Sequence, residues 1–486
     1  MAGKYRFIFL LEYFQLVGRD FNGRMRIVFW CGTAGRLRGS RRWCGSIEVG
    51  ERVYNMGATS GILPAAWDTL RRNKVLLKAP ITTPQGKGYK SLNVTMRKTL
   101  GLYANIRPTQ SYHPFVKTNH PKMNMVIVRE NEEDIYSGIE YRNTDDMVQC
   151  LKLITRSGSE RIIRYAFEYA MANGRKKVTC MSKDNIMKMA DGLFHRTYDE
   201  IAKEYPNLEK EHYIIDIGAA RIAAKPEVFD VIVTENLYGD IISDIAAEVS
   251  GSVGLAGSSN IGEDFAMFEA IHGSAPDIAG KNMANPSGIL QSAVMMLIHI
   301  GQPEVASKIH NAWMATIENG IHTGDIYREG VSKEKVGTKE FAEAVVKHLG
   351  KKPSSMPVAN YKKSEAKKTA ALAVRAAAKK ELMGVDVYFH LRNMDIKTLG
   401  DAVTKLAGSD FTAKTISSKG LKIWPDGIGV TNTDQVSCRF MGNASATHAK
   451  VAALLSRISE AGLDFTFTEN LYNFDGAAGY SLGQGE

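Results

Sequence analysis

Between residues 74 and 250, short apolar runs alternate with segments of helical length, and this alternation constrains the fold most. Residues 74–79, 124–129, 177–181 and 228–234 read as strands. Residues 91–102, 160–172, 185–205 and 241–250 read as helices. Strands of that length, each followed by a helix, call for an α/β architecture in which helices cover the sheet. A second pattern starts at residue 385. Strands at 385–391, 411–423, 436–441 and 465–469, with helices at 398–407 and 447–461, give the order β-α-β-β-α-β of a ferredoxin-like split βαβ module. Residues 351–384 between them are rich in Ala, Lys and Ser, which predicts a linker that turns helical after Ser364. Its basic run at 362–380 reads as a solvated helix.

The chain has 486 residues, enough for two or three domains. No run of 18 apolar residues occurs, so no membrane-spanning helix is expected. The five cysteines (Cys31, Cys44, Cys150, Cys180, Cys438) show neither paired nor zinc-type spacing, which fits a reducing compartment. The net charge is +10, but residues 1–45 carry nine Lys/Arg against two Asp/Glu. The remainder is too weakly basic to argue for a nucleic-acid partner.

Chemistry concentrates in a few segments. Asp240 and Asp244 are four apart at the start of the expected helix and project from one face. Such a pair suits Mg²⁺ or Mn²⁺; an acidic first turn placed by the helix dipole is the alternative. Ser91, Asn93 and Arg97 form a polar cluster, with Arg107 and Arg129 near element ends. Guanidiniums are forks for carboxylates, so the group fits a small polyanion, or else solvated faces. Lys183 and Tyr136 stand where a proton could be shuttled, or where they are structural. Around His272-Gly273 lies a polar loop able to pack adenine and phosphates, yet neither G-x-G-x-x-G nor a P-loop is present.

Taken together, these segments resemble the metal-dependent β-decarboxylating dehydrogenases, and within them isocitrate dehydrogenase. The likeness runs from about 47 to 350. It is carried by Asn-Leu-Tyr-Gly-Asp240-Ile-Ile-Ser-Asp244, by Lys-Ala-Pro-Ile-Thr82-Thr83-Pro and by Arg129-Glu-Asn-Glu-Glu-Asp-Ile-Tyr136. The C-terminal module is similar to the extra domain of one bacterial-type subfamily. The resemblance implies an isocitrate/isopropylmalate dehydrogenase-like two-domain α/β core plus a C-terminal α+β ferredoxin-like module. Its expected boundaries are a large domain at 46–102 and 251–350, a small domain at 103–250 with a dimer clasp near 134–157, a linker at 351–384 and the module at 385–486.

It further implies oxidative decarboxylation of isocitrate to 2-oxoglutarate by at least a homodimer. Ser91, Asn93, Arg97, Arg107 and Arg129 would hold the substrate's carboxylates, with Thr82 in the substrate–nicotinamide loop. Asp240 and Asp244 would hold the metal with Asp216 of a second subunit. Lys183, also from the second subunit, would assist loss of the hydroxyl proton, and Tyr136 would protonate the enolate. Asn185, Glu269, His272, Gly273, Asp277, Ile278 and Asn285 would line the cofactor. Asp277 would repel a 2′-phosphate, so the expected cofactor is NAD. The alternatives are a non-catalytic regulatory or assembly subunit, or a sister dehydrogenase using homoisocitrate, isopropylmalate or tartrate. Residues 1–45 stand where relatives carry a Gly-Asp-Gly-Ile-Gly-Pro-Glu loop. A frame-shifted segment or an organelle presequence accounts for them, and reduced stability or no activity is expected of the chain as it stands. A cytoplasmic location is expected, a mitochondrial one if the segment is a presequence.

Overall fold

The computed structural model describes residues 26–29, 46–48, 61–81, 83, 91–362, 375–392, 394–427 and 433–484. Thr82 and nearly all of 1–45, together with the expectations placed on them, lie outside the described residues. The chain forms two compact units, one of residues 1–137 and 153–372, the other of 138–152 and 373–486.

In chain order the strands of the first part are β1 (Arg26–Phe29), β2 (Ser46–Glu48), β3 (Val75–Lys78), β4 (Ala104–Gln110), β5 (Asn124–Glu130), β6 (Glu140–Arg142), β7 (Val148–Cys150), β8 (Lys177–Ser182), β9 (Glu209–Ile214), β10 (Val231–Thr234), β11 (Gly257–Ile261) and β12 (Ala266–Ala270). The helices that matter here are α1 (Leu92–Thr99), α2 (Arg156–Ala172), α3 (Ala190–Ala202), α4 (Ile215–Ala224), α5 (Asn236–Val249), α6 (Ser287–His299) and α7 (Pro303–Glu318).

The first unit is built on a ten-stranded mixed sheet of order β2-β1-β3-β12-β11-β4-β5-β10-β8-β9. Its strands β5, β10, β8 and β9 run parallel. Side chains alternate across each strand, and the sequence obeys that period. Val126, Val128, Val231 and Val233 face α2 and α3, packing on Phe167 and Tyr198. Met125, Ile127 and Ile232 point to the other face, against Ile222 of α4 and Ile242 of α5. A separate core gathers α6 and α7 around the fully buried Trp313. Residues 351–362 are fastened rather than loose: Glu318 accepts from the N–H groups of Ser354, Ser355 and Met356.

The second unit has β15 (Lys380–His390), β16 (Phe411–Ser418), β17 (Leu421–Trp424), β18 (Gln435–Gly442), β19 (Phe465–Phe474) and β20 (Ala477–Ala478); the two-residue β13 (Ile321–His322) and β14 (Glu334–Lys335) pair in the first unit. Its antiparallel order β17-β16-β18-β15-β19-β20 contains the ferredoxin-like arrangement, with α8 (Ile396–Ala407) and α9 (His448–Glu460) closing one core. The hairpin β6–β7 belongs to this unit, where Thr144 and Gln149 bond Asp434 and Gln435. The basic run is not helical where it is described. Residues 375–379 are irregular and Lys380 opens β15, its ammonium 3.8 Å from the Tyr472 ring centroid. A cation–π contact and strand pairing win over helix propensity there. Among the described residues, no helix is long and apolar enough to cross a membrane.

Candidate active site

Strands β5 and β10 run in parallel register, with Arg129 beside Thr234. Their carboxyl ends therefore coincide, and α5 begins just beyond, at Asn236. Crevices outside strand C-termini are where open α/β sheets bind ligands. Asp240 and Asp244 fall in the second and third turns of α5, and no acidic residue occupies its first turn. The helix-dipole alternative for this pair is thereby removed.

Asp240 is the hub. The Tyr136 hydroxyl donates to its Oδ2 at 2.6 Å. Arg129 Nη1 donates to Oδ1, and Arg107 Nη2 reaches the same oxygen at 3.1 Å. Arg107 Nη1 lies 3.7 Å from Asp244. Arg129 is held from below by Asn236 Oδ1, which accepts from both Nε and Nη2. Burial alone would raise the Asp240 carboxyl, but Arg129 and Arg107 override it and bring it to about 2. Burial lowers Arg129 to about 10, with Arg107 adding repulsion. Tyr136 is pushed up to about 12, first by burial, so its phenol keeps its proton.

A second ion cluster lies deeper. The register of β3 on β12 puts Lys78 opposite Glu269, and their side chains pair at 2.6 Å. Glu269 also accepts from Arg97 at 3.0 Å and from Asn260. Burial raises the Glu269 carboxyl, but Lys78 and Arg97 outweigh it and hold the group far below its usual range. Glu269, expected at the cofactor, is thus a buried anchor for Arg97. Among the described residues, Arg97 Nε and Asn93 Oδ1 are buried without a hydrogen-bond partner. Ser91 caps α1: its Oγ accepts from Val94 N–H and from Thr83, and its own proton is used in neither bond. Across both clusters, four cations face three carboxylates, a balance that receives an anion.

The other expected residues are placed as follows. Lys183 and Asp216 pair with each other at 2.7 Å, on the end of β8 and on α4, with no bond from either to Asp240 or Asp244. Asn185 is exposed in the turn after β8. His272 Nδ1 lies 2.9 Å from the Gly273 carbonyl, and its ring sits over the first turn of α6 beside Gly288. Asp277 and Ile278 form a short 3-10 turn with Asp277 exposed. Asn285 is buried, its amide donating to Asp325 and its oxygen accepting from Ser287 N–H. Sequence reasoning overlooked Lys78, Asn236 and Ser243. Lys78 carried a signal, being a charge at the end of an otherwise apolar strand.

The donor set of α5 fits a hard divalent cation. It offers carboxylate oxygens one helical turn apart, with Asp244 raised by burial and then by Asp240 despite Arg107 nearby. A bound cation relieves that repulsion.

Residues 43–345 match the family described as isocitrate/isopropylmalate dehydrogenase. The chain belongs to that family. Residues 380–486 match the C-terminal domain of bacterial isocitrate dehydrogenase. The isocitrate dehydrogenase [NADP] of Rickettsia bellii is 58% identical over 448 residues, covering 91% of this chain and 92% of the relative. That of Thermus thermophilus is 41% identical, covering 90% of this chain and 89% of the relative. The crystal structure of the TT0538 protein from Thermus thermophilus superposes with a TM-score of 0.84 at 40% identity, over 90% of this chain and 89% of that one.

These relatives correct the cofactor expectation: they are named for NADP, not NAD. The physical reason is that a single carboxylate was made to decide the sign of a pocket. Asp277 is exposed, where water and salt screen it. Cations adjoin the same loop. Lys281 lies four residues on, and Lys339 N–H donates to Asn282 Oδ1 at 2.9 Å.

The close approach of α5 to β5 also yields a test. A Cβ added at Gly239 would lie 2.5 Å from Arg129 Cγ. Gly239→Ala is expected to improve helix propensity yet push Arg129 off Asp240. Since a displacement of about 1 Å can cost roughly 10²-fold, kcat/KM should fall by about that factor. Steady-state kinetics beside a thermal melt would check it; an unchanged kcat/KM would contradict the tight packing.

Proposed function

We propose that the chain converts isocitrate to 2-oxoglutarate and CO₂ while reducing NADP, with a divalent cation and as a homodimer. The observation that carries this reading is the convergence of Arg107, Arg129 and Tyr136 on Asp240, one turn from Asp244. Support comes also from relatives of high identity named isocitrate dehydrogenase [NADP].

In this reading Arg97, Arg107 and Arg129, with Ser91 and Asn93, hold the three substrate carboxylates. The polar Ser91 and Asn93 argue against an alkyl-tailed acid. Asp240 and Asp244, joined by Asp216 of a second copy, would hold Mg²⁺ or Mn²⁺. When bound, the cation polarises the C2 oxygen and stabilises negative charge there. NADP, held on the side shaped by His272 and Asn285, would supply the acceptor for the hydride leaving C2. Lys183 of a second copy receives the C2 hydroxyl proton at its Nζ. Arg107 and Arg129 stabilise the enolate left by CO₂ loss, in a site partly screened from water. Tyr136, protonated by virtue of its raised pKa, donates from Oη to the C3 carbon. Thr82 retains its proposed place in the substrate–nicotinamide loop, and His272, Gly273, Asp277, Ile278 and Asn285 shape the cofactor side. The pairing of two copies is supported by Ile217 of α4 and Ile241 of α5, both about half exposed although these helices pack together.

The deciding experiment follows NADPH formation with Mn²⁺ and isocitrate, homoisocitrate, 3-isopropylmalate or tartrate in turn. Isocitrate alone should turn over. Preference for another acid would assign a sister activity, and no turnover with any, by a chain whose residues 1–45 are replaced with the loop-bearing segment of a relative, would favour the regulatory-subunit reading. Within the same assay, Tyr136→Phe should lower kcat about 10²- to 10⁴-fold with little change in KM for isocitrate. A KM effect without a kcat effect would remove Tyr136 from the chemistry.

A further inference from the structure

Away from the clusters described above, three side chains from three elements meet at the far edge of the sheet. Asp184 follows β8, His195 is on α3 and His212 is on β9. One potential ligand atom from each lies within 4.8 Å of the others. We propose that Asp184, His195 and His212 form a second metal site, selective for a borderline-soft transition ion of the Zn²⁺ class rather than for Mg²⁺.

The donor chemistry sets the class. Two imidazoles and one carboxylate are a zinc donor set, whereas Mg²⁺ takes oxygen. The geometry is close to what is needed. Tetrahedral zinc, with bonds of about 2.0–2.1 Å, spaces its donors about 3.4 Å apart, so the tighter contact must open and the looser one close, each by roughly half an ångström or slightly more. His195 Nδ1 already lies 2.7 Å from Asp184 Oδ2, and His212 Nε2 lies 3.9 Å from Oδ1. Ser182 Oγ, 2.9 Å from His212 Nε2, would yield that nitrogen to the ion. The two rings are stacked at 3.6 Å between centroids, an arrangement that two imidazolium ions do not adopt; since each imidazole ligates in its own plane, one ring must swing out of the stack as the ion binds. Burial and then His195 hold His212 below its ordinary pKa, which keeps it in the neutral, ligating form.

The outer contacts point the same way. The remaining nitrogen of His195 faces Asp199 at 3.8 Å, the carboxylate–histidine relation that orients zinc ligands. Each of the three ligands is between a fifth and a quarter exposed, which leaves an entry path and room for water as the fourth ligand. Asp184 immediately follows Lys183, so an ion here ties the segment carrying that lysine to α3 and β9.

The test uses the full chain, stripped with chelator and titrated with Zn²⁺ against a chromogenic competitor. One Zn²⁺ per chain should bind and persist in an Asp240→Asn/Asp244→Asn variant. It should be lost in His195→Ala/His212→Ala and weakened about 10- to 100-fold in Asp199→Asn. Equal zinc uptake by the double-histidine variant, or no uptake by the unaltered chain, would overturn the proposal. One equivalent of Cu²⁺ on the unaltered chain supplies a readout independent of how the variants fold. Its paramagnetic resonance spectrum should carry nitrogen hyperfine structure from two imidazoles, and an oxygen-only spectrum would equally refute the site.

Discussion

Asp240→Asn should remove at least about 10³-fold from kcat and also destabilise the fold. Two separate effects combine. As a proposed ligand, Asp240 contributes to holding a cation whose stabilisation of transition-state charge is worth several kcal/mol, and about 4 kcal/mol corresponds to 10³-fold in rate. As the counter-ion of Arg129 and Arg107, it also neutralises guanidiniums that are almost completely buried. Removing one partner of such a pair costs about 3–5 kcal/mol, because a buried charge is left uncompensated. The expected signature is a loss of Mn²⁺-dependent turnover together with a lower urea midpoint. The pH dependence carries a sign as well. With Asp240 depressed to about 2 in the fold, its contribution is complete above the ordinary carboxyl value of 3.8 and fades as pH falls towards 2. The variant should lack that acid limb. Full activity in Asp240→Asn, with the fold intact, would dismantle the metal assignment.

The parts of this molecule that follow local rules were legible before the structure. Strand β5 reads directly from its residues because both its faces are buried and Met125, Ile127 and Val126, Val128 serve two cores. The ferredoxin-like order of the second unit follows from segment order alone, although 411–423 proved to be a hairpin of β16 and β17. What stayed hidden depends on contacts distant in sequence. Lys78 and Glu269 are 191 residues apart and meet only through the β3–β12 register. The helix expected over 185–205 begins only at Ala190, since the Lys183 N–H and the Tyr238 hydroxyl both engage Asp191 and turn the chain there. The arginines of the site were legible as residues. Which carboxylate each one meets was not, and Arg97 turned to Glu269 rather than to Asp240. Cofactor choice failed for a related reason: it is a property of a pocket's summed charge, and one exposed aspartate does not report it.

Glu269→Gln is the second substitution with a large expected effect, and here the effect is on stability. Lys78 is fully buried and Arg97 nearly so, and Glu269 is an ion-pair partner of both. Glutamine keeps the shape and removes the charge, leaving two cations in a low-dielectric interior. The cost should be about 3–5 kcal/mol near neutral pH, read as a drop in urea midpoint. Lys78 provides the diagnostic. Burial already lowers its pKa in the native chain, against the pull of Glu269. Without that pull the folded-state pKa drops further while the unfolded value stays near 10.5. The unfolded state then binds more protons, so the variant should gain stability as pH rises towards 10.5. The unaltered chain should show the same rise to a smaller extent, and should also lose stability as pH falls below 4.5, where the depressed Glu269 carboxyl contributes less than its full share. Urea midpoints at pH 3, 7 and 9 separate the two profiles. Equal midpoints in variant and parent at all three values would mean that the buried triad does not hold this end of the sheet.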